Sequence, residues 1–276
     1  MSVRITTLSE NTAQLGFLAE WGLSILVETD RARVLLDTGM SMSAVHNADL
    51  LGINLSTIDA IVLSHAHADH TGGLRDVLRR VRKEIQVVAH PDIWIPKYVV
   101  YGEMQRYAGI PFVREELEAM GAAFNLSSGP CQISGDIMTT GEIAMTTGYE
   151  TIDDRLCLKV GGQMIHDPMT DDLALVVRTG AGLALITGCA HRGIVNTVRH
   201  VRKLTDNEYI HTIIGGTHLH LSPVERVDKT AAELKELGLR RLGVSHCTGF
   251  HSAAALAREF GDVFFLNNAG TQLEIE

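Results

Sequence analysis

The chain has 276 residues, 45% of them hydrophobic and 21% charged, enough for a sizeable core in one large domain or two small ones. Its formal charge of −9 argues against nucleic acid held on a basic surface. No apolar run approaches a membrane span, the first residues lack the apolar stretch of a secretory signal, and the four cysteines (Cys131, Cys157, Cys189, Cys247) show no paired spacing. A cytoplasmic protein with no membrane partner is expected.

In chain order, strands are predicted at Arg4 to Thr7, Ser24 to Glu28 and Val34 to Leu36, the last stopping at Asp37-Thr38-Gly39. A helix over Ser41 to Leu51 follows. The apolar strand Ala60 to Leu63 then runs directly into Ser64-His65-Ala66-His67-Ala68-Asp69-His70. Three imidazoles and a carboxylate within this stretch are the mixed nitrogen and oxygen donors that zinc and similar divalent ions take. In extended chain His65 and His67 point the same way, so one metal can take both. Asp69 and His70 come where the chain turns and can reach a second metal beside the first. Thr71-Gly72-Gly73 predicts a sharp bend before a helix over Leu74 to Val81 and a strand over Ile85 to Ala89.

From about 91 to 150 the alternation blurs. This span carries Trp94, Tyr98, Tyr101, Tyr107 and Phe112 together with Pro96, Pro111 and Pro130. It reads as an insertion forming a lid or pocket wall, with one clear helix, Glu115 to Met120, and a strand near Gly141 to Thr146.

The second half starts afresh with strands Leu156 to Val160, Leu173 to Arg178 and Leu183 to Thr187. Helix Gly193 to Leu204, strand His211 to Ile214, helix Pro223 to Leu237, strand Arg241 to Val244, helix Ser252 to Phe260 and strand Val263 to Leu266 complete it. Both halves open with antiparallel strands and end in alternating strand and helix. Two sheets packed face to face with helices outside satisfy that pattern in a single domain; a doubly wound parallel sheet fits the opening strands poorly.

Two more strand ends carry ligand-type residues: Gly188-Cys189-Ala190-His191 and Ser245-His246-Cys247-Thr248-Gly249. Apolar strand, small residue, histidine and glycine-bearing turn thus recur three times, as a metal site built from distant segments on one sheet rim requires. In Gly215-Gly216-Thr217-His218-Leu219-His220 the glycines precede the histidines, which favours His218 at the pocket rim, acting on substrate. Asp37 is placed to accept the second ring N–H of a metal-bound histidine, fixing its tautomer. Among Asp167, Asp171 and Asp172, one can bind metal or support a ligand; for Asp167 and Asp171 a turn rich in Asp and Pro is the preferred reading.

Together these residues resemble the metallo-β-lactamase superfamily: Asp37 matches its first motif, His65 to His70 its second and His246 its last. The resemblance spans nearly the whole chain. It implies a fold of the α/β (α+β) class, a four-layer αββα sandwich of two mixed sheets, with one or two metals at the sheet rim and usually a hydrolase activity. More narrowly, Leu36-Asp37-Thr38-Gly39, His46-Asn47-Ala48, Thr140-Gly141-Glu142-Ile143, Thr187 to His191 and Ser245 to Phe250 are similar to one subgroup. That subgroup is named for 7,8-dihydropterin-6-methyl-4-(β-D-ribofuranosyl)aminobenzene-5′-phosphate synthase, although many members are called metal-dependent hydrolases. It implies a phosphorylated pterin or ribosyl substrate. The chain departs from the commonest pattern at Cys189, which stands where a bridging aspartate or a cysteine ligand usually sits, and at Asp172, in the region of an expected histidine. His191 is the preferred third ligand of the first metal; Cys189 is either a ligand or only a neighbour.

The expected centre therefore has His65, His67 and His191 on one divalent ion and Asp69, His70 and His246 on a second, zinc being favoured over manganese or iron. The expected reaction is metal-assisted hydrolysis of an ester, lactone or phosphoester in a small-molecule substrate. Asp69, if loosely bound, orients or deprotonates the nucleophile, and His218 stabilises charge developing on the substrate. The rivals are a synthase using the same metals as Lewis acids and, behind it, a non-enzymatic sensor of metal or ligand.

Overall fold

The computed structural model describes residues 2–276. Its first half runs β1 (Val3–Ser9), β2 (Ser24–Glu28), β3 (Arg33–Leu36), α1 (Ser43–Leu50), β4 (Ala60–Val62), α2 (Ala68–Thr71), α3 (Leu74–Val81), β5 (Ile85–Ala89), β6 (Lys97–Tyr101), β7 (Met104–Tyr107), α4 (Arg114–Ala119), β8 (Ala122–Leu126) and β9 (Ile137–Thr139). The second half runs β10 (Leu156–Val160), β11 (Gln163–His166), β12 (Ala174–Thr179), β13 (Gly182–Thr187), α5 (Ile194–Leu204), β14 (Ile210–Gly216), α6 (Val224–Lys235), β15 (Arg241–Ser245), α7 (Phe250–Phe260), β16 (Phe264–Leu266) and β17 (Gln272–Ile275).

The period-2 alternation of strands sorts side chains between cores. Ile25, Val27, Val34 and Leu36 face a central core, whereas Leu26 and Leu35 face an outer one with α1 and α3. Likewise Leu175, Val177, Ala184 and Ile186 face the central core, and Val176, Leu183 and Leu185 face a second outer core with α5, α6 and α7. Helix, sheet, sheet, helix is the consequence. The first sheet has order β17-β1-β2-β3-β4-β5-β8 and turns from antiparallel to parallel at β3 and β4. The second has order β16-β15-β14-β13-β12-β9 and makes the same change at β13. Both sheets are mixed, as the resemblance implies.

The stretch from 91 to 150 is divided among three sheets. Strand β8 extends the first large sheet, β9 edges the second, and β6 and β7 join β10 and β11 in a separate antiparallel sheet. The strand expected near Gly141 to Thr146 is not formed. Gly141 turns the chain with φ 65°, and the N–H groups of Thr146 and Thr147 go to the Asn196 side chain at 2.7 and 2.8 Å instead of to a strand partner. Gly72 and Gly73 also differ from expectation: their φ values of −65° and −80° suit any residue. What excludes a side chain there is crowding, because a Cβ on Gly73 would lie 2.0 Å from the Thr38 carbonyl oxygen.

Candidate metal centre

Every strand that ends at the site hands over to a ligand-type residue: β3 to Asp37, β4 to the His65 loop, β13 to Cys189 and His191, and β15 to His246. Asp37 is fully buried and takes a left-handed turn, φ 56°. Its Oδ1 accepts the Ser64 N–H, and its Oδ2 accepts both the Ser64 hydroxyl and His70 Nδ1–H, each at 2.7 Å. With its proton committed to Asp37, the Ser64 oxygen accepts His65 Nδ1–H at 2.9 Å. Hydrogen-bond partners assign both tautomers, so one carboxylate presents Nε2 of His65 and of His70 as lone pairs. His246 is set independently: its Nδ1–H donates to Asn11 Oδ1 at 2.9 Å.

The freed nitrogens then face one another. His65 Nε2 lies 3.2 Å from His191 Nε2, and His70 Nε2 lies 3.2 Å from His246 Nε2 and 3.1 Å from Cys189 Sγ. Lone pairs aimed at each other in a buried site repel unless a cation sits among them. These separations are close to the edge of about 3.4 Å of a tetrahedron with bonds of about 2.1 Å. Two donor sets result, His65–Cys189–His191 and His70–Cys189–His246, each with its donor atoms within 4.8 Å of one another. The buried Nε2 of His67 has no hydrogen-bond partner among the described residues, and its ring stands 4.7 and 4.9 Å from those of His65 and His191. Asp69 joins the second set, its Oδ2 lying 3.2 Å from His246 Nε2 and accepting Trp21 Nε1–H at 3.0 Å. A divalent ion fits each set, with the Cys189 sulfur common to both.

Residues 22–246 match the family model described as the metallo-beta-lactamase superfamily. The chain belongs to this superfamily. A 7,8-dihydropterin-6-methyl-4-(beta-D-ribofuranosyl)-aminobenzene-5′-phosphate synthase of Methanocaldococcus jannaschii is 32% identical, over 98% of this chain and 95% of the relative. An uncharacterised protein of the same organism is 31% identical over 92% of this chain and 94% of its own length. Among solved structures, a metal-dependent hydrolase of the β-lactamase superfamily superposes with a TM-score of 0.86 at 31% identity, each chain being 99% covered. The protein is thus an enzyme of the metallo-β-lactamase superfamily. No helix among the described residues is long and apolar enough to cross a membrane.

Electrostatics at this superfamily site favour neutral rings at His65, His67 and His191 and an ionised Asp69. Burial, with help from the neighbouring imidazoles, holds His65 and His191 well below the usual histidine range. Burial brings His67 down to about 4. For His70 burial acts in the same direction, but Asp37 and then Asp69 outweigh it and raise the ring to about 9; carboxylates that attract a proton there attract a metal cation equally well. Burial alone would raise Asp69, yet His70 and His246 keep it well below the usual carboxylate range. Burial, then Cys247, pushes the Cys189 thiol far up, so a proton stays on it unless a cation displaces it.

The other aspartates resolve differently from a simple turn. Asp167 and Asp171 both bind the buried Lys97 ammonium, at 2.7 and 2.8 Å. The second oxygen of Asp171 accepts the Ala66 N–H at 2.9 Å, between the two histidines of the His-x-His pair. Asp172 accepts the Arg192 N–H at 2.9 Å, anchoring the loop that carries His191; its other oxygen is buried without a partner among the described residues, and burial raises its pKa to about 7. His218 is half-buried with its ring 4.1 Å from that of His191, and it forms a third donor group with Cys189 and Cys247.

Sequence reasoning missed Asn11, Trp21, Lys97, Asp171 as a loop anchor, and Arg106. None carries a local signal: each gains its role from a segment far away in the chain. Together the site residues floor a cleft of about 560 Å³ walled by Val99, Tyr101, Arg106, Arg155 and Leu156 of the small sheet region on one side and by Trp21 and Leu221. Pairing across that sheet puts Arg106 opposite Val99 and Val99 opposite Leu156, which aligns the three on one face. Arg155 is engaged by Asp153, whereas the Arg106 guanidinium has no ion-pair or hydrogen-bond partner among the described residues.

Proposed function

We propose that this protein is a cytoplasmic, binuclear metal-dependent hydrolase whose substrate is a phosphorylated small molecule. The observation that carries the reading is the pair of facing Nε2 couples, His65–His191 and His70–His246, around one shared sulfur. His65, His67 and His191 would hold one ion, and Asp69, His70 and His246 the other. Cys189, whose sulfur belongs to both donor sets, would be available to each. Nitrogen with sulfur donors favours zinc or iron over manganese. Divalent ions in such a site supply Lewis acidity and lower the pKa of water toward 7. Asp69, held by Trp21, orients the nucleophile or takes its proton at Oδ2. His218, at the cleft wall, donates to charge growing on the substrate.

Elemental analysis of protein purified without added metal is expected to return two equivalents of metal per chain, with turnover of bis(p-nitrophenyl) phosphate. Cys189→Ser is expected to retain one equivalent and lose most of that turnover. An unchanged metal content in the serine variant would remove the shared sulfur from the proposal.

The unpartnered Arg106 supports a phosphate-bearing substrate, because planar guanidinium matches phosphate oxygens in a fork. A hydrogen bond to a charged group is worth about 1.5–3 kcal/mol. Arg106→Ala should accordingly raise KM for p-nitrophenyl phosphate on the order of tenfold or more, with KM for p-nitrophenyl acetate unaltered. Equal effects on both esters would contradict a phosphate role.

The synthase relative supports a second reading, in which the same donor sets act as Lewis acids in joining two substrates. A product assay with and without a dihydropterin co-substrate separates the two: new product only with both present favours the synthase.

A further inference from the structure

Two of the cysteines meet at the floor of the cleft, and one of them, Cys247, has no place in either histidine set. Cys189 follows β13 and Cys247 follows β15, with β14 lying between these strands. Strands two apart in a sheet are separated by roughly 9–10 Å, too far for their residues to share a ligand. Gly216, at the end of β14, removes the obstacle. A Cβ there would lie 2.6 Å from Cys247 Sγ and 3.2 Å from Cys189 Cα. With no side chain between them the thiols converge, and Cys247 Sγ lies 3.3 Å from the Cys189 carbonyl oxygen.

His218 completes the group: its donor atom and the two sulfurs all lie within 4.8 Å of one another. The backbone at His218 is left-handed, φ 47°, a conformation that costs a residue with a side chain and that clusters at functional positions. Hydrogen bonds hold it there against the Cys247 turn. The His218 N–H donates to Cys247 Sγ at 3.3 Å, the His220 N–H donates to the Cys247 carbonyl at 2.9 Å, and the hydroxyls of Thr217 and Thr248 lie 3.0 Å apart. His218 Nδ1 is buried without a hydrogen-bond partner among the described residues. So is one oxygen of Asp172, a carboxylate near enough for the charges of His218 and Cys247 to act on it. Buried polar atoms left open beside two sulfurs are what a cation satisfies. All three side chains line the cleft, so an ion has a way in.

Two thiolates and a neutral imidazole carry the charge that one divalent ion cancels. Bonds of about 2.3 Å to sulfur and 2.1 Å to nitrogen set tetrahedral donors about 3.4–3.8 Å apart, within the span of this group. Sulfur selects soft ions over magnesium, calcium or manganese. We propose that Cys189, His218 and Cys247 form a third cation site, for zinc or a softer divalent ion, whose occupation competes with the two histidine sets for the Cys189 sulfur. Three protein donors leave a fourth position open toward the cleft. An ion there also takes the His218 ring away from substrate, so the site is inhibitory; that consequence alone rests on the hydrolase reading.

Cadmium NMR of the full chain, saturated with cadmium in a phosphine reductant, reports through the chemical shift how many sulfurs each ion has. A resonance in the two-thiolate range is expected, and Cys247→Ser is expected to abolish it while resonances from the histidine sets persist. Cys131 and Cys157 join no donor group among the described residues, so Cys131→Ser with Cys157→Ser should leave the spectrum unchanged. A wild-type spectrum with no two-thiolate resonance overturns the proposal, as does a two-thiolate resonance that survives Cys247→Ser. Zinc in excess of two equivalents is expected to inhibit phosphodiester turnover. Cys247→Ser should raise the half-inhibiting concentration by about 10–100-fold or more, since even an outer partner of a ligand is worth that much. Inhibition indifferent to Cys247→Ser removes the inhibitory role. Loss of the histidine-set resonances with the two-thiolate resonance retained removes the hydrolase and leaves this site standing, whereas the reverse removes this site alone.

Discussion

Asp37→Ala is expected to weaken metal binding at both donor sets at once, although Asp37 itself belongs to neither. The carboxylate receives His70 Nδ1–H directly and His65 Nδ1–H through the Ser64 hydroxyl. Without it, neither ring has a reason to keep its proton on Nδ1, and each Nε2 ceases to be a dependable lone pair. Loss of one such partner ordinarily costs about 10–100-fold in metal affinity; here two rings, one in each donor set, share it. Competition with a chromogenic chelator should show both equivalents released at lower chelator concentration, and phosphodiester turnover should fall in parallel. Asp37→Asn, which keeps the shape but offers an N–H where an acceptor is needed, is expected to resemble alanine. If asparagine preserves both affinities, the carboxylate serves only to fill space. Gly188 belongs to the same arrangement, since a Cβ there would lie 2.1 Å from Ser64 Oγ.

Lys97→Met should produce the largest loss of stability of any single change near the site. Its side chain is only 2% exposed and is held between Asp167 and Asp171. Removing one partner of a buried ion pair costs about 3–5 kcal/mol, because the remaining charge is left uncompensated. For a domain somewhat above 150–250 residues, each kcal/mol shifts Tm by about 2–4 °C, so a fall of roughly 6–20 °C is expected by calorimetry. The loss extends to the site, since Asp171 also holds the Ala66 N–H between His65 and His67. Lys97→Met combined with Asp167→Asn and Asp171→Asn removes the stranded charges and should recover part of the Tm. A triple variant less stable than the single one would mean the triad is not the cause.

The early strands were readable because their alternation is local: Ile25, Val27, Val34 and Leu36 must share one face whatever else the chain does. The His65-to-His70 cluster was equally plain, as were His191 and His246, because each immediately follows an apolar strand. The span from 91 to 150 was less legible. Strands β6 to β9 are short or half-exposed, and they become strands only by pairing with segments as distant as β5, β10 and β12. The expectation of a strand at Gly141 failed for a similar reason: Asn196, on a helix far along the chain, claims the N–H groups there.

By itself, then, the sequence determined which residue types end which strands, and with that the superfamily and the presence of a metal site. Spacing along a strand is a covalent property and survives in the letters. Only the tertiary structure decided that Asp37 orients two rings and that Lys97 secures the His-x-His loop. It alone set Cys189 between both donor sets, and an aromatic cavity beside the cleft they floor. Those are contacts between segments up to 235 residues apart, as between Asn11 and His246, and they exist only once two sheets have brought their rims together.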